Sequence, residues 1–234
     1  MSEPGRLLGL LFRSHPWHGV PIGPQSPNIV TCFIEIVPTD RVKYEVDKAT
    51  GYLKVDRPQL YSNICPAPYG FIPQTYCGDR VGARSARETG RATMRGDGDP
   101  LDVCVLTLTP ITHSDLLLQA RPIGGIRLID GDEADDKIIA VLAGDGLFGG
   151  YLELAEVPQA AVLRLSHYFE TYKTAPGATT KPTKSSGRRA RTTASDSAPC
   201  RSNSPTRSPD EDLIKTSVAL PAGCSILRAL VRAL

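Results

Sequence analysis

The stretch RGDGDPLDVCVL, residues 95–106, sets Asp97, Asp99 and Asp102 within six residues and then runs into an apolar segment. Two like unit charges about 4 Å apart repel by ~4 kcal/mol at an effective dielectric of 20, so acids that converge need a cation between them. The competing reading is that they splay into solvent, because Asp-Gly-Asp-Pro is also good turn chemistry. A second acidic cluster, DGDEADDK from Asp130 to Lys137, favours a metal. An EF-hand starting at Asp97 fails, since Leu101 stands at the fifth position, Asp102 at the glycine position and Leu108 where a bidentate Glu is required. Hard oxygen donors without His or Cys among them suit Mg²⁺ better than zinc or copper.

Cations complete the pattern. Lys43, Arg57, Lys137 and Lys173 together with these carboxylates describe a site able to hold metal ions and a polyanion at once, which is the chemistry of phosphoryl transfer. Any one of them alone reads as a solvated surface charge, and only the set carries the argument. No Walker loop is present, and neither GDGLFGG nor RPIGGIR has the strand-GxGxxG-helix context of a dinucleotide fold. The phosphate is therefore expected to be gripped by side chains and metal.

The elements that must position these groups read mostly as strands. In VTCFIEIVP, residues 30–38, Ile34 and Ile36 share one face and Phe33, Glu35 and Val37 the other, which sets Glu35 off the core. Lys43, Glu45 and Asp47 alternate with Tyr44 and Val46, then KATG turns the chain into a returning strand, residues 52–56, a hairpin that ends at Arg57. Further strands are expected at 101–109, at 116–129 with a bend or bulge at Pro122 and Gly124-Gly125, and at 137–142. One helix stands out in PQAAVLRLSHYFETYK: Pro158 suits a first helical position, and Val162, Leu165, Tyr168 and Tyr172 recur at helical spacing. Short curved strands with one late helix suggest a small barrel.

Composition divides the 234 residues unevenly. From Thr174 onward there are ten Lys/Arg against four Asp/Glu and no aromatic residue, so the basic charge concentrates there and the first 173 residues are mildly acidic. That stretch is rich in Ser, Thr, Pro and Arg, with too little apolar surface to offset the entropy of ordering it, and is read as a disordered tail. Its last residues, SILRALVRAL, could form one short amphipathic helix, marginal in isolation at about ten residues. The six cysteines, Cys32, Cys65, Cys77, Cys104, Cys200 and Cys224, form no CxxC pair or Cys/His cluster, which argues against structural zinc and for reduced thiols. No apolar run approaches the ~18 residues of a membrane span, and RLLGLLF near the N-terminus is followed by polar residues without a small-residue cleavage site. His15, His18, His113 and His167 read as loop, packing or helix-face residues, and Trp17 as an anchor for the N-terminal arm.

DGDPLDV resembles the signature of the family I soluble inorganic pyrophosphatases. The resemblance extends in order through HPWHGVPIG, FIEIVP, VKYEVDK, VDRP, PYGFIPQTYCG, ADDKIIAV and HYFETYK, about three quarters of the chain. It implies an α+β fold, mainly β, in which an OB-like five-stranded closed barrel carries flanking helices. It also implies Mg²⁺-dependent hydrolysis of inorganic pyrophosphate to two phosphates. Matched residue by residue, Asp97, Asp102 and Asp135 resemble the ligands of the tightest metals, with Asp130 and Glu45 completing further ion positions. Asp99 corresponds to the carboxylate that orients and deprotonates the attacking water. Lys43, Arg57, Tyr69, Lys137, Tyr172 and Lys173 resemble the phosphate grip, and Glu35 an acid behind the metal ligands. Tyr69 and Tyr172 read equally as core-packing phenols. Family members form homodimers or homohexamers, so a homo-oligomer is implied, and the cytoplasm is the default location, with an organelle as the alternative.

The expected organisation is an N-terminal arm at 1–29, a barrel domain at 30–173 and the basic tail at 174–234. Residues 77–96 are longer than the link of short bacterial members and are expected to form an exposed hairpin at an oligomer contact. Cys65 stands where those members have a tyrosine near the site. After Lys173 the family's usual closing segment is replaced by the tail. An alternative function follows: a pyrophosphatase-like protein that binds metal and phosphate but turns over poorly, its barrel partly uncovered. Equal thermal midpoints for this chain and one carrying the usual segment would exclude such an uncovering. Nucleic-acid binding through GRRAR and the barrel is disfavoured, because the body is acidic and its site is lined with carboxylates.

Overall fold

The computed structural model describes residues 13–173 and the two-residue strand at 217–218. The barrel is built from β1 (Val30–Ile36), β4 (Tyr69–Phe71), β6 (Asp102–Leu106), β10 (Lys137–Leu142) and β7 (Leu116–Arg127), hydrogen-bonded in that order. Pairing of Val30–Ile34 with Leu116–Ala120 closes the ring, leaving five strands with no free central edge. Every contact is antiparallel except β6 with β10. A hairpin of β2 (Val42–Val46) and β3 (Leu53–Pro58) stands on one side, turned by Gly51 at φ +75°. A small sheet of β5 (Arg95–Gly96), β9 (Glu133–Ala134) and β8 (Ile129–Asp130) stands on another. A register shift between Ile139 and Ala140, opposite Pro122 and Gly124, lets β7 run on as one curved strand where the sequence suggested a bend or bulge.

Strand alternation sorts the core into two clusters. Val103, Val105, Ile138 and Ala140 join Val30, Cys32 and Ile34 on one side of the strands. Cys104, Leu106, Ile139 and Val141 point the other way, onto Val162, Leu165, Tyr168 and Phe169 of the late helix α2 (Gln159–Thr171). Pro158 precedes this helix as its cap rather than opening it.

Two expectations are corrected. Residues 77–96 are not a hairpin: Asp79–Thr89 form a helix, α1, with Val81, Gly82 and Ser85 buried, ended by Gly90 at φ +70°. Gly82 lies so close to the strand that follows that a Cβ there would stand 2.6 Å from the Met94 carbonyl oxygen, and the segment joins the body through pairing of Arg95–Gly96 with Glu133–Ala134. Glu35 is not off the core, being only 6% exposed, because the hairpin and Trp17 cover the face it shares with Phe33. The tail includes Ser217–Val218, paired as β11 with Arg127 and Ile126 of β7. The remainder of that tail, its closing amphipathic segment and the N-terminal apolar patch lie outside the described residues. Among the described residues no helix is long and apolar enough to cross a membrane.

Candidate active site

A cleft of about 400 Å³ opens where the hairpin, the mouth of the barrel and the end of α2 meet. Into it project Glu35, Lys43, Glu45, Arg57, Tyr69, Asp97, Asp99, Asp102, Asp130, Asp135, Lys137, Tyr172 and Lys173, every residue singled out from the sequence. Each element supplies its share by simple geometry. Lys43 and Glu45 alternate on β2 toward the cleft, and Arg57 pairs with Lys43 across the hairpin. Asp102 opens β6 and Lys137 opens the adjacent parallel β10. Gly98, at φ +79°, lets the chain turn sharply between Asp97 and Asp99, and the Asp99 N–H donates to Asp97 at 2.9 Å.

The acids meet cations rather than each other. The Lys137 ammonium, 3% exposed, donates to both Asp102 and Asp135. Burial pulls the Lys137 pKa down, but these two carboxylates outweigh it and hold it well above its usual value. Burial raises Asp102, a shift partly offset by Lys137, and the Tyr69 hydroxyl donates to it as well. Asp97 is pushed up to about 6 by burial, against the stabilising Asp99 N–H, with repulsion from Asp135 and Asp102 adding to the rise. Lys43 bridges Glu45 at 2.7 Å and Asp56 at 2.9 Å, and Asp56 in turn holds Arg57 at 2.6 Å. Lys173 reaches Asp130 at 2.7 Å, and its ammonium lies 5.4 Å from the Tyr172 ring centre. Arg57 lies 5.8 Å from the same ring.

Sequence reasoning missed Lys48 and Asp56. Lys48, in the hairpin turn, pairs with Asp99, while the His15 ring lies 3.2 Å from the Lys48 carbonyl oxygen. Asp56 orders the two cations on either side of it. The alternation that selected Lys43 and Glu45 could have found Asp56, which faces them across the hairpin; a lysine in a turn carries no such signal. Trp17 is the anchor expected of it, donating from Nε1 to the Thr75 carbonyl at 2.8 Å and packing on Phe33, Val46 and Phe71. Cys65 is fully buried with its thiol on the Ala67 carbonyl, and it does not line the cleft.

Among the described residues no three His, Cys or acidic side chains converge as a finished coordination shell; Asp102 and Asp135 are turned to Lys137, and Asp99 to Lys48. The donor chemistry nevertheless fits a hard divalent cation. Asp97, Asp102 and Asp135 are oxygen donors that repel one another, and burial disfavours the charge on Asp97 and Asp102, a cost that a bound cation would relieve.

A closed five-stranded barrel whose cleft gathers carboxylates beside lysines and an arginine has the make-up of a site for a polyanion and a hard cation. A family model described as inorganic pyrophosphatase matches residues 32–197. The inorganic pyrophosphatase of Chlamydia trachomatis serovar L2 is 53% identical over 163 residues, covering 70% of this chain and 78% of that one. Soluble inorganic pyrophosphatase 2 of Chlamydomonas reinhardtii is 39% identical over 160 residues, covering 68% and 73%. The crystal structure of inorganic pyrophosphatase from Thermus thermophilus superposes with a TM-score of 0.56 at 29% identity, covering 68% of this chain and 80% of that one. The chain belongs to the inorganic pyrophosphatase family, and its barrel is the OB-like fold of that family.

Proposed function

We propose that this cleft hydrolyses inorganic pyrophosphate to two phosphates with Mg²⁺ as the divalent cation. The observation that carries the reading is the gathering in one cleft of the thirteen acids, cations and phenols that the sequence and its family resemblance singled out. Asp97, Asp102 and Asp135, with Asp130 and Glu45, would hold the metal ions. When bound, the metal neutralises pyrophosphate oxygens and eases deprotonation of water, which an anionic substrate otherwise repels.

The chain's own groups do the rest. Asp99, beside the Gly98 turn, takes the proton of the attacking water at its carboxylate. For it to do so the Lys48 ammonium must leave Asp99, and incoming phosphate oxygens offer that lysine another charged partner. Lys43 and Arg57, preset by Asp56, grip one phosphoryl group; Lys173 and the Tyr172 hydroxyl grip the other and stabilise the departing phosphate. Tyr69 and Lys137 hold the base of the cleft, and Glu35 buttresses the hairpin by accepting the Val46 N–H at 2.7 Å.

The barrel body at 30–173, preceded by an arm and followed by the tail, is the unit to which this activity is assigned. A homo-oligomer and a cytoplasmic setting belong to the same proposal, the latter supported by Cys32, Cys65, Cys77 and Cys104 all being free thiols. Phosphate release from pyrophosphate in Mg²⁺, measured for the full chain beside Asp99→Asn, tests the reading. Release that falls at least ~10²-fold in the variant supports it. No release by the parent with Mg²⁺ still bound would favour the metal- and phosphate-binding protein instead.

A further inference from the structure

Asp135 and Lys137 both line the cleft, and the residue between them does not. Successive side chains of an extended chain point to opposite sides, so Asp136 projects behind the site. There it meets Arg127, at the end of β7, in a two-point contact: Nε to Oδ1 and Nη2 to Oδ2, each at 3.3 Å. The Arg127 side chain is 7% exposed. Its remaining arm, Nη1, donates to Glu88 of α1 at 2.5 Å, and Glu88 also accepts from Arg84 Nε at 2.8 Å. One guanidinium thus ties the helix of residues 77–96 to the peptide that carries Asp135 and Lys137.

Backbone bonds set the path of that peptide: the Asp135 N–H donates to the Leu128 carbonyl at 3.1 Å, and Lys137 pairs with Ile126 of β7. A void of about 20 Å³, the size of one water, lies directly behind the acids, lined by Cys77, Asp97, Asp102, Asp136 and Lys137. With space behind the chain, the Arg127 fork adds a fixed point at Asp136, between Asp135 and Lys137, that the backbone bonds do not supply. A planar guanidinium fork on a carboxylate fixes both distance and tilt, which an ammonium would not.

We propose that Arg127, through Asp136, is a positioning residue for the metal-binding face of the cleft, and that α1 acts on the site through Glu88. The inference rests on the pyrophosphatase reading of the cleft and assigns the helical segment a task in it. Residues that orient metal-binding groups from behind typically govern metal affinity or activity by about 10- to 100-fold.

Arg127→Met alone would leave a carboxylate buried without its partner, so the test uses the double variant Arg127→Met/Asp136→Leu, which replaces the pair by apolar groups of similar size. In the full chain, Mg²⁺ binding is measured by calorimetry, kcat and KM for pyrophosphate at saturating Mg²⁺, and the thermal midpoint alongside. The expected result is a midpoint at or above the parent's, a Mg²⁺ Kd weakened about 10-fold or more, and kcat lowered by about the same factor with KM little changed. Arg127→Lys, a point charge without the fork, falls between parent and double variant. A folded double variant with parental Mg²⁺ Kd and kcat overturns the proposal. If the double variant does not fold, Glu88→Gln reads the same guanidinium from its exposed end, and a parental Mg²⁺ Kd there overturns it equally. Should the parent release no phosphate, the functional reading falls while the Mg²⁺ comparison still decides the positioning role.

Discussion

Replacing Glu35 by Gln makes the chain's stability less sensitive to pH, and the size of the effect follows from burial. The carboxyl is 6% exposed beneath the hairpin and accepts the Val46 N–H at 2.7 Å. Burial pushes its pKa up to about 8; the Val46 bond and Lys43 oppose the rise, and Asp102 and Glu45 add to it. In the unfolded chain the value is the ordinary 4.5. Between those two values the native state keeps a proton that the unfolded state has released, so stability falls as pH rises through the window, is unpenalised below it and carries the full penalty above it. A gap of roughly three and a half units at ~1.4 kcal/mol each sets the penalty at up to about 5 kcal/mol. Glutamine keeps an oxygen for Val46 and cannot ionise. Urea unfolding of parent and variant, with chelator present, at intervals from pH 5 to 9 isolates the term, because titrations of groups that do not interact with Glu35 cancel in the difference. The variant should gain several kcal/mol on the parent by pH 9 and differ little at pH 5. Parallel pH curves for the two chains would refute the reasoning.

Other outcomes follow from the same geometry. Chelation should stop phosphate release and added Mg²⁺ restore it, followed in one continuous assay; release that persists in excess chelator would remove the metal from the mechanism. Leu165→Ala, 1% exposed on the buried face of α2, should cost about 2–5 kcal/mol in denaturant unfolding and lower turnover, because α2 ends beside Tyr172 and Lys173. Gly98→Ala places a Cβ at φ +79°, costing ~1–2 kcal/mol, and should reduce kcat more than it raises KM, since the turn aims Asp99; an unchanged kcat would show that Asp99 is held by other means.

Local pattern determined much of this protein. The two acidic clusters, the KATG-turned hairpin and the helical spacing of Val162, Leu165 and Tyr168 are each properties of a few neighbouring residues, and each is present in the fold. Alternation along β2 was enough to point Lys43 and Glu45 to one side. What covers a face is another matter, since it depends on residues far away in the chain. Glu35 has the alternation of an exposed position and is buried by a hairpin and a tryptophan. Residues 77–96 carry a turn-rich, arginine-rich pattern, and they become α1 by docking Gly82 against a neighbouring strand and Glu88 onto Arg127. The pairing of Lys48 with Asp99 and of Arg127 with Asp136 likewise joins turns and strand ends that only the closed barrel brings together. Types and spacing therefore determined which groups the cleft gathers, and the tertiary fold decided their burial and partners, because desolvation and charge pairing are set by whatever packs alongside.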